Sequence, residues 1–142
     1  MRTMIVIAAL AAGALFAPAY ALDSGGQPVV VTPIRSTTVT STGQPIRLPD
    51  NNVEVTASIF EIAPGVTLPV HKHPYARYGY VLAGSLKVTN VDTGQSDVFN
   101  TGDFIVEMTD QWHQGSNIGS TPVKLLVIDQ IVAGTKATVL KE

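Results

Sequence analysis

The stretch Gly65–Gly84 reads GVTLPVHKHPYARYGYVLAG and places two histidines, His71 and His73, two positions apart before an apolar run. Side chains alternate across a β-strand, so both imidazoles point to one face, roughly 7 Å apart along the chain, while Lys72 points to the other. Neutral imidazole is a common ligand of transition metals. The spacing therefore predicts a pair of metal ligands, although a His-x-His pair alone is a weak signal that also fits a structural or surface pair.

Short β-prone segments, separated by turn-forming residues, follow one another through most of the chain. Between residues 53 and 59, Val and Ile alternate with polar residues, which is the period of a half-buried strand. The segment Asp-Thr-Gly at positions 92–94 has the chemistry of a hairpin loop. Many short strands at this spacing predict an all-β fold, either a sandwich or a small barrel.

Residues 1–23, MRTMIVIAALAAGALFAPAYALD, have the pattern of a secretory signal peptide. Arg2 supplies the basic start, residues 4–16 are apolar, and the small residues Ala19 and Ala21 stand where a signal peptidase requires them. We expect cleavage after Ala21 and a periplasmic or secreted protein. A membrane anchor is disfavoured because the apolar run is shorter than the ~20 residues that a span needs.

The remaining composition predicts one domain. The formal net charge is −2, which gives no basic field for nucleic acid or for an anionic membrane. The chain has no Cys, so its stability must come from a packed core. The predicted organisation is a signal peptide (1–21), an N-terminal extension with short strands (22–50), a barrel (51–135) and a C-terminal tail (136–142).

Two motifs in the barrel region resemble those of the cupin superfamily. The first is Gly, five residues, His-x-His, three or four residues, Glu, six residues, Gly; it is matched by Gly65, His71, His73 and Gly84. The second is Gly, five residues, Pro-x-Gly, two residues, His, three residues, Asn; it is matched by Gly102, His113 and Asn117. The resemblance implies a double-stranded β-helix barrel, or jelly roll, with a metal near one mouth held by His71, His73 and His113.

The chain departs from the family pattern at the position of the ligand Glu, which holds Arg77. Arg has no lone pair to offer a metal. Tyr78 would take this position only if the interval to Gly84 were one residue short. Two interpretations remain open. Either the three histidines bind the ion alone, with Arg77 paired to an acid such as Glu107 or receiving an anionic ligand, or the metal is lost and the barrel binds a small molecule or nothing.

In the second motif Met108 and Asp110 replace Pro and Gly. Asp tolerates the left-handed turn conformation, so this change is mild. We expect one divalent transition ion per chain (Fe, Mn, Ni, Cu or Zn), bound less well as pH falls through roughly 6.5, since protonated imidazole cannot ligate.

The residues near the histidines give the candidate substrate contacts, which are Arg77, Tyr78, Tyr80 and Trp112, and the candidate catalytic groups, which are Arg77 and Glu107. The resemblance is compatible with a metal-dependent enzyme acting on a small, possibly anionic, organic molecule by dioxygenase, isomerase or decarboxylase chemistry. The alternative is a non-catalytic periplasmic module that binds or senses a small molecule with a degenerate metal site. A homodimer that pairs sheets is also expected from the resemblance.

Overall fold

The computed structural model describes residues 20–22 and 29–142. Most of the predicted signal peptide, residues 1–19, lies outside the described residues. The chain divides into two compact units, Met1–Pro33 and Ile34–Glu142. In the first unit, β1 (Tyr20–Leu22) pairs antiparallel with β2 (Val29–Val31). The described part of the chain contains no helix long and apolar enough for a membrane span.

The second unit consists of two antiparallel sheets. Its strands in chain order are β3 (Val53–Ile62), β4 (His71–Lys72), β5 (Tyr78–Ala83), β6 (Ser85–Asn90), β7 (Ser96–Asn100), β8 (Phe104–Val106), β9 (His113–Asn117), β10 (Val123–Val132) and β11 (Val139–Leu140). One sheet has the order β3-β10-β5-β8 and the other β11-β4-β9-β6-β7. The prediction of an all-β fold of the double-stranded β-helix type is confirmed.

The hydrophobic core lies between the two sheets. Alternate residues of β10, namely Val123, Leu125 and Val127, are almost completely buried, and they pack against Val81 of β5 and Leu86 of β6. Burying each aliphatic side chain of this size stabilises the fold by roughly 1.5–3 kcal/mol before the entropy cost is counted. The core therefore fixes the register of the strands that carry the functional side chains.

The strand β3 is present as predicted, but its apolar alternating residues are not buried. Val53, Val55 and Ile59 are 48%, 64% and 52% exposed. The residues of the opposite face point inward, ending in the half-buried Phe60 and the buried Ile62. The face of β3 that carries Val53, Val55 and Ile59 therefore has no covering layer within residues 34–142.

Two turn positions explain residues that the motifs singled out. Gly84 joins β5 to β6 with a φ of 86°, and a Cβ at this position would lie 3.0 Å from the carbonyl oxygen of Pro122. Only Gly fits both the left-handed backbone and the close approach. Asp110, which replaces a motif Gly, has a φ of 52°, as its tolerance of the left-handed region predicts. The Asp-Thr-Gly segment at 92–94 forms the predicted hairpin between β6 and β7.

Strand pairing brings distant parts of the sequence to one mouth of the barrel. β4 pairs with β9, so His71 stands directly opposite His113. Glu107 follows the end of β8, and its backbone N–H donates to the carbonyl of Arg77 (2.8 Å). Residues 34–50 and 136–142, assigned by sequence to the extension and the tail, belong to the same compact unit as the barrel.

Candidate metal centre

Four buried side chains converge at this mouth: His71, His73, Glu107 and His113. One ligand atom from each lies within 4.8 Å of all the others. The three imidazole centroids are between 4.5 and 5.0 Å apart. The structure thus brings together the three histidines named from the sequence, and it adds a carboxylate. This cluster could hold a metal ion.

Backbone carbonyls orient all three imidazole rings. Each Nδ1 lies within hydrogen-bond distance of a carbonyl oxygen: His71 with Pro69 (2.6 Å), His73 with Ala137 (2.9 Å) and His113 with Gln111 (2.8 Å). A carbonyl only accepts, so Nδ1 carries the proton and donates. In the neutral rings, the Nε2 lone pairs are then free to act as ligands, which is the arrangement that outer hydrogen bonds commonly impose on metal-binding histidines.

The carboxylate of Glu107 faces two of these nitrogens. Its Oε2 is 3.0 Å from Nε2 of His73 and 3.3 Å from Nε2 of His113. The contact between Oε2 and Nε2 of His73 is short, but the two groups are not aligned for a hydrogen bond. Nε2 of His73 is therefore a buried polar atom without a hydrogen-bond partner among the described residues. Lone pairs of imidazole and carboxylate repel one another at this range. A proton or a metal ion between them removes that repulsion, so the donor set fits a cation.

The surroundings keep this donor set in its ligating form. Burial by itself raises the pKa of Glu107, but its close contacts with the imidazoles of His113 and His73 and the positive charge of Arg77 outweigh burial and hold the pKa below its usual range. Burial lowers the pKa of His71 to about 4, although the hydrogen bond to Pro69 acts in the opposite direction. Glu107 is therefore ionised and His71 neutral at neutral pH. At His71, protons therefore compete with a metal ion only at a pH well below the value of roughly 6.5 expected for an ordinary imidazole.

The stability of the metal-free protein is expected to fall as pH decreases from about 6.5 to about 4. His71 in the unfolded chain takes up a proton near its ordinary pKa, whereas the folded protein keeps the ring neutral. This contribution to the free energy of unfolding is complete above the pKa of His71 in the unfolded chain. It is lost as the pH falls towards the lower pKa of His71 in the folded protein. We expect a loss on the order of 2 kcal/mol, allowing for partial solvent contact.

Urea unfolding in the presence of a chelator, repeated between pH 4 and 7, measures this loss. The variant His71→Asn should lack this part of the pH dependence. Identical profiles for the two proteins would show that His71 does not titrate as described.

Arg77 pairs with an acid, as one interpretation predicted, but the acid is Asp129 and not Glu107. Its guanidinium donates from Nε and Nη2 to the two carboxylate oxygens of Asp129, at 2.7 and 3.0 Å, and from Nη2 to Oγ1 of Thr138 at 2.9 Å. Asp129 lies on the inward face of β10, and the pairing of Ile128 with Tyr78 places it beside Arg77 on the neighbouring strand of the same sheet. The guanidinium beside the cluster is therefore neutralised by a buried partner, which reduces its repulsion of a metal ion.

The aromatic candidates lie elsewhere. The buried residues Gly79 and Val81 lie on the interior face of β5, so the alternate residues Tyr78 and Tyr80 point to the outer face. There the ring of Tyr78 stacks on that of Phe104, with the ring centroids 6.1 Å apart. Trp112 lies beneath two ammonium groups, with Nζ of Lys72 5.2 Å and Nζ of Lys141 5.6 Å from its ring centroid. The structure does not bring these three aromatic residues to the cluster.

A cavity of about 240 Å³ opens beside the histidines. Its wall combines apolar side chains with one imidazole and one guanidinium: Phe60, Leu68, Pro69, His71, Arg77, Thr138 and Leu140. A second space of about 20 Å³ lies deeper in the barrel and is bordered by His71, Glu107 and His113 together with core residues. This space holds about one water molecule. A ligand larger than that fits only the outer of these two spaces, which shares His71 and Arg77 with the inner one.

Sequence reasoning missed three parts of this site. Glu107 was considered as a partner of Arg77 or as a general base, but not as a member of the histidine cluster. Asp129 was overlooked, although a lone acid within the apolar run VKLLVIDQIVAG is a signal that a buried partner exists. The carbonyl of Ala137 left no sequence signal, because any residue supplies a carbonyl.

Comparison with known proteins identifies the fold family. A family model described as "Cupin domain" matches residues 58–129. A search against curated proteins gives no match. Among solved structures, the oxalate decarboxylase–formate complex from Lactobacillus farciminis is 27% identical, with a TM-score of 0.50 over 61% of this chain and 26% of that protein. The chain thus spans about a quarter of the length of that enzyme.

A second solved structure covers more of the chain. An uncharacterised conserved protein with a double-stranded β-helix domain from Klebsiella pneumoniae is 22% identical, with a TM-score of 0.52 over 72% of this chain and 83% of that protein. At this identity the likeness supports the fold alone. The family match covers both histidine motifs and half of the sequence, and the fold agrees with it. The chain therefore belongs to the cupin superfamily.

Proposed function

We propose that this cupin binds one divalent transition-metal ion through His71, His73, His113 and Glu107, and uses it to bind or transform a small organic anion. One observation carries the proposal: three buried imidazoles and a buried carboxylate bring one ligand atom each within 4.8 Å of one another, and Nε2 of His73 has no hydrogen-bond partner in the described part of the chain. Such a set is costly to bury unless a cation completes it.

The donor types indicate the class of ion. Imidazole nitrogen and carboxylate oxygen suit Fe, Mn, Ni, Cu or Zn, and they do not distinguish among these metals. Three neutral imidazoles and one carboxylate leave a divalent ion with a net positive charge. The bound ion supplies Lewis-acid polarisation of an oxygen atom of the ligand. The protein's own part is to hold the donors and to exclude bulk water.

The outer cavity favours a small ligand with an anionic end. Its volume of about 240 Å³ lies below the range typical of drug-sized ligands. Arg77 forms part of its wall, and within residues 34–142 the Nη1 nitrogen of Arg77 makes no hydrogen bond. The two N–H groups of Nη1 are available to orient a carboxylate. The likeness to an oxalate decarboxylase solved with formate supports small carboxylates as the first compounds to test.

Glu107 is better suited to hold the metal than to act as a general base. Its Oε2 is the atom that faces His73 and His113, and its pKa lies below the usual range, which makes it a weak base. The reaction class stays open among dioxygenase, isomerase and decarboxylase chemistry, since cupins as a fold do not decide among them.

Elemental analysis of purified, dialysed protein, followed by repletion with each of the five metals, tests the proposal. We expect about one ion per chain. A panel of small mono- and dicarboxylates is then screened for turnover and for thermal stabilisation of the metal-loaded protein. Stabilisation without any product would favour the non-catalytic binding module, and the absence of any bound ion after repletion would refute the metal-dependent function.

We also propose that the protein acts outside the cytoplasm and that it forms a homodimer. The first proposal rests on the signal-peptide pattern of residues 1–21. The second is supported by the exposed apolar side chains of Val53, Val55 and Ile59 on the outer face of the β3 sheet.

A further inference from the structure

The last six residues, 137–142, run along the strand that carries the histidine pair, and we name them the C-terminal strap. β11 within the strap pairs antiparallel with β4 and places Leu140 opposite His71. The backbone N–H of Lys141 donates to the carbonyl of Val70 (2.9 Å). The strap is therefore attached to the strand of the metal centre by its backbone.

The strap also supplies one of the three carbonyls that orient the imidazoles. The carbonyl partners of His71 and His113 lie two residues before each histidine, so those contacts are local. The partner of His73 is Ala137, which lies 64 positions away in the sequence. The orientation of the His73 ring therefore depends on the strap being in place, whereas the orientation of the other two rings does not.

A second contact fixes the strap to the buried ion pair. Oγ1 of Thr138 accepts a hydrogen bond from Nη2 of Arg77 (2.9 Å), and the same nitrogen binds Asp129. The side chains of Thr138 and Leu140 form one wall of the cavity beside the cluster. Displacing the strap would thus release His73, remove a partner of Arg77 and open the cavity at the same time.

We propose that the C-terminal strap is a positioning element of the metal centre, and that its docking and metal binding stabilise each other. This inference rests on the proposed metal-binding function. The docked strap holds His73 with Nε2 directed at the cluster, so the ion binds more tightly when the strap is docked. Linkage requires the reverse as well: the bound ion must stabilise the docked strap by the same factor.

The test compares Zn²⁺ binding of the intact chain with that of a variant lacking residues 137–142 and of Thr138→Val. We expect the deletion to raise the Kd for Zn²⁺ by about 10- to 100-fold, the range found when an outer partner of a metal ligand is removed. Thr138→Val should weaken binding by a smaller factor. Lys141→Ala is the matched control: its ammonium group lies 5.6 Å from the ring centroid of Trp112, its side chain takes no part in the hydrogen bonds to His73 and Arg77, and its Kd should be unchanged.

The reciprocal measurement is hydrogen exchange at the Lys141 amide in the intact chain. Zn²⁺ should slow this exchange, since the amide exchanges only when the strap opens. The proposal is overturned if the deletion binds Zn²⁺ as tightly as the intact chain, or if exchange at Lys141 does not respond to Zn²⁺. Should the deletion not fold, Thr138→Val and the exchange rate give the answer.

A metal-free readout separates this inference from the function on which it rests. The ¹⁵N chemical shifts of the His73 ring report which nitrogen carries the proton. We expect Nδ1 to be protonated in the intact chain and this preference to be lost in the deletion. If the intact chain binds no metal, the proposed function fails while the ring shifts still decide whether the strap positions His73. Unchanged shifts would refute that positioning.

Discussion

Replacing Glu107 with Gln is expected to weaken the binding of a divalent transition metal by at least 100-fold. The amide keeps the size of the side chain but removes the only negative charge among the four donors. Because the site is buried, the attraction between carboxylate and cation is poorly screened, and its loss exceeds that of an exposed contact. The expected factor is at least as large as that found for outer partners of metal ligands.

Competition titration with a chelating indicator measures this effect for Zn²⁺ and Mn²⁺. His71→Ala, which removes a donor from the cluster, should abolish binding. Glu61→Gln serves as the matched control, because Glu61 is an exposed carboxylate in an ion pair with Lys124, and the substitution should leave the Kd unchanged. Equal affinities for Glu107→Gln and the unaltered protein would mean that Glu107 is not a ligand.

Replacing Asp129 with Asn is expected to destabilise the fold by about 3–5 kcal/mol, the range observed when one partner of a buried ion pair is removed. The side chains of Arg77 and Asp129 are only 7% and 12% exposed, and two hydrogen bonds join them. The substitution leaves a charged guanidinium in the interior without its counter-ion. Unfolding by urea, followed by fluorescence of Trp112, measures the change.

Two further variants separate the buried charge from a general effect of substitution. Glu61→Gln breaks the exposed pair with Lys124 and should cost less than about 1 kcal/mol. The double variant Arg77→Met/Asp129→Leu removes both charges, and it should be more stable than Asp129→Asn. A double variant less stable than the single one would mean that the pair is needed for its geometry and not for its charge balance.

The motif spacing was sufficient to predict the fold and the convergence of three histidines. His71, His73 and His113 keep the intervals of two family motifs, and strand alternation places the first pair on one face without further information. The alternation at residues 53–59 correctly predicted a strand, but Val53, Val55 and Ile59 are exposed, because periodicity shows that two faces differ and does not show which face meets the core.

The charged residues could not be placed from the sequence. Arg77 and Asp129 are separated by 52 positions, and Glu107 reaches the histidines only because β8 ends beside them. Asp129 and Glu107 flank Arg77 from the two strands that neighbour β5, so the acid that pairs with Arg77 depends on the order and register of these strands, which the local sequence does not show. A carboxylate is present at the cluster even though the usual motif position holds Arg. A search limited to that position would classify this cupin as lacking an acidic ligand.

The position of β10 has a consequence for how the barrel forms. β10 lies between β3 and β5, and it pairs Val132 with Val53, which precedes it by most of the barrel. A sheet built on such distant pairing folds slowly, typically in milliseconds to seconds. The chain must lose the entropy of closing a long loop before the stabilising contacts between the strands can form. The chain therefore has no closed interior until residues 123–132 are free to pair with β3 and β5.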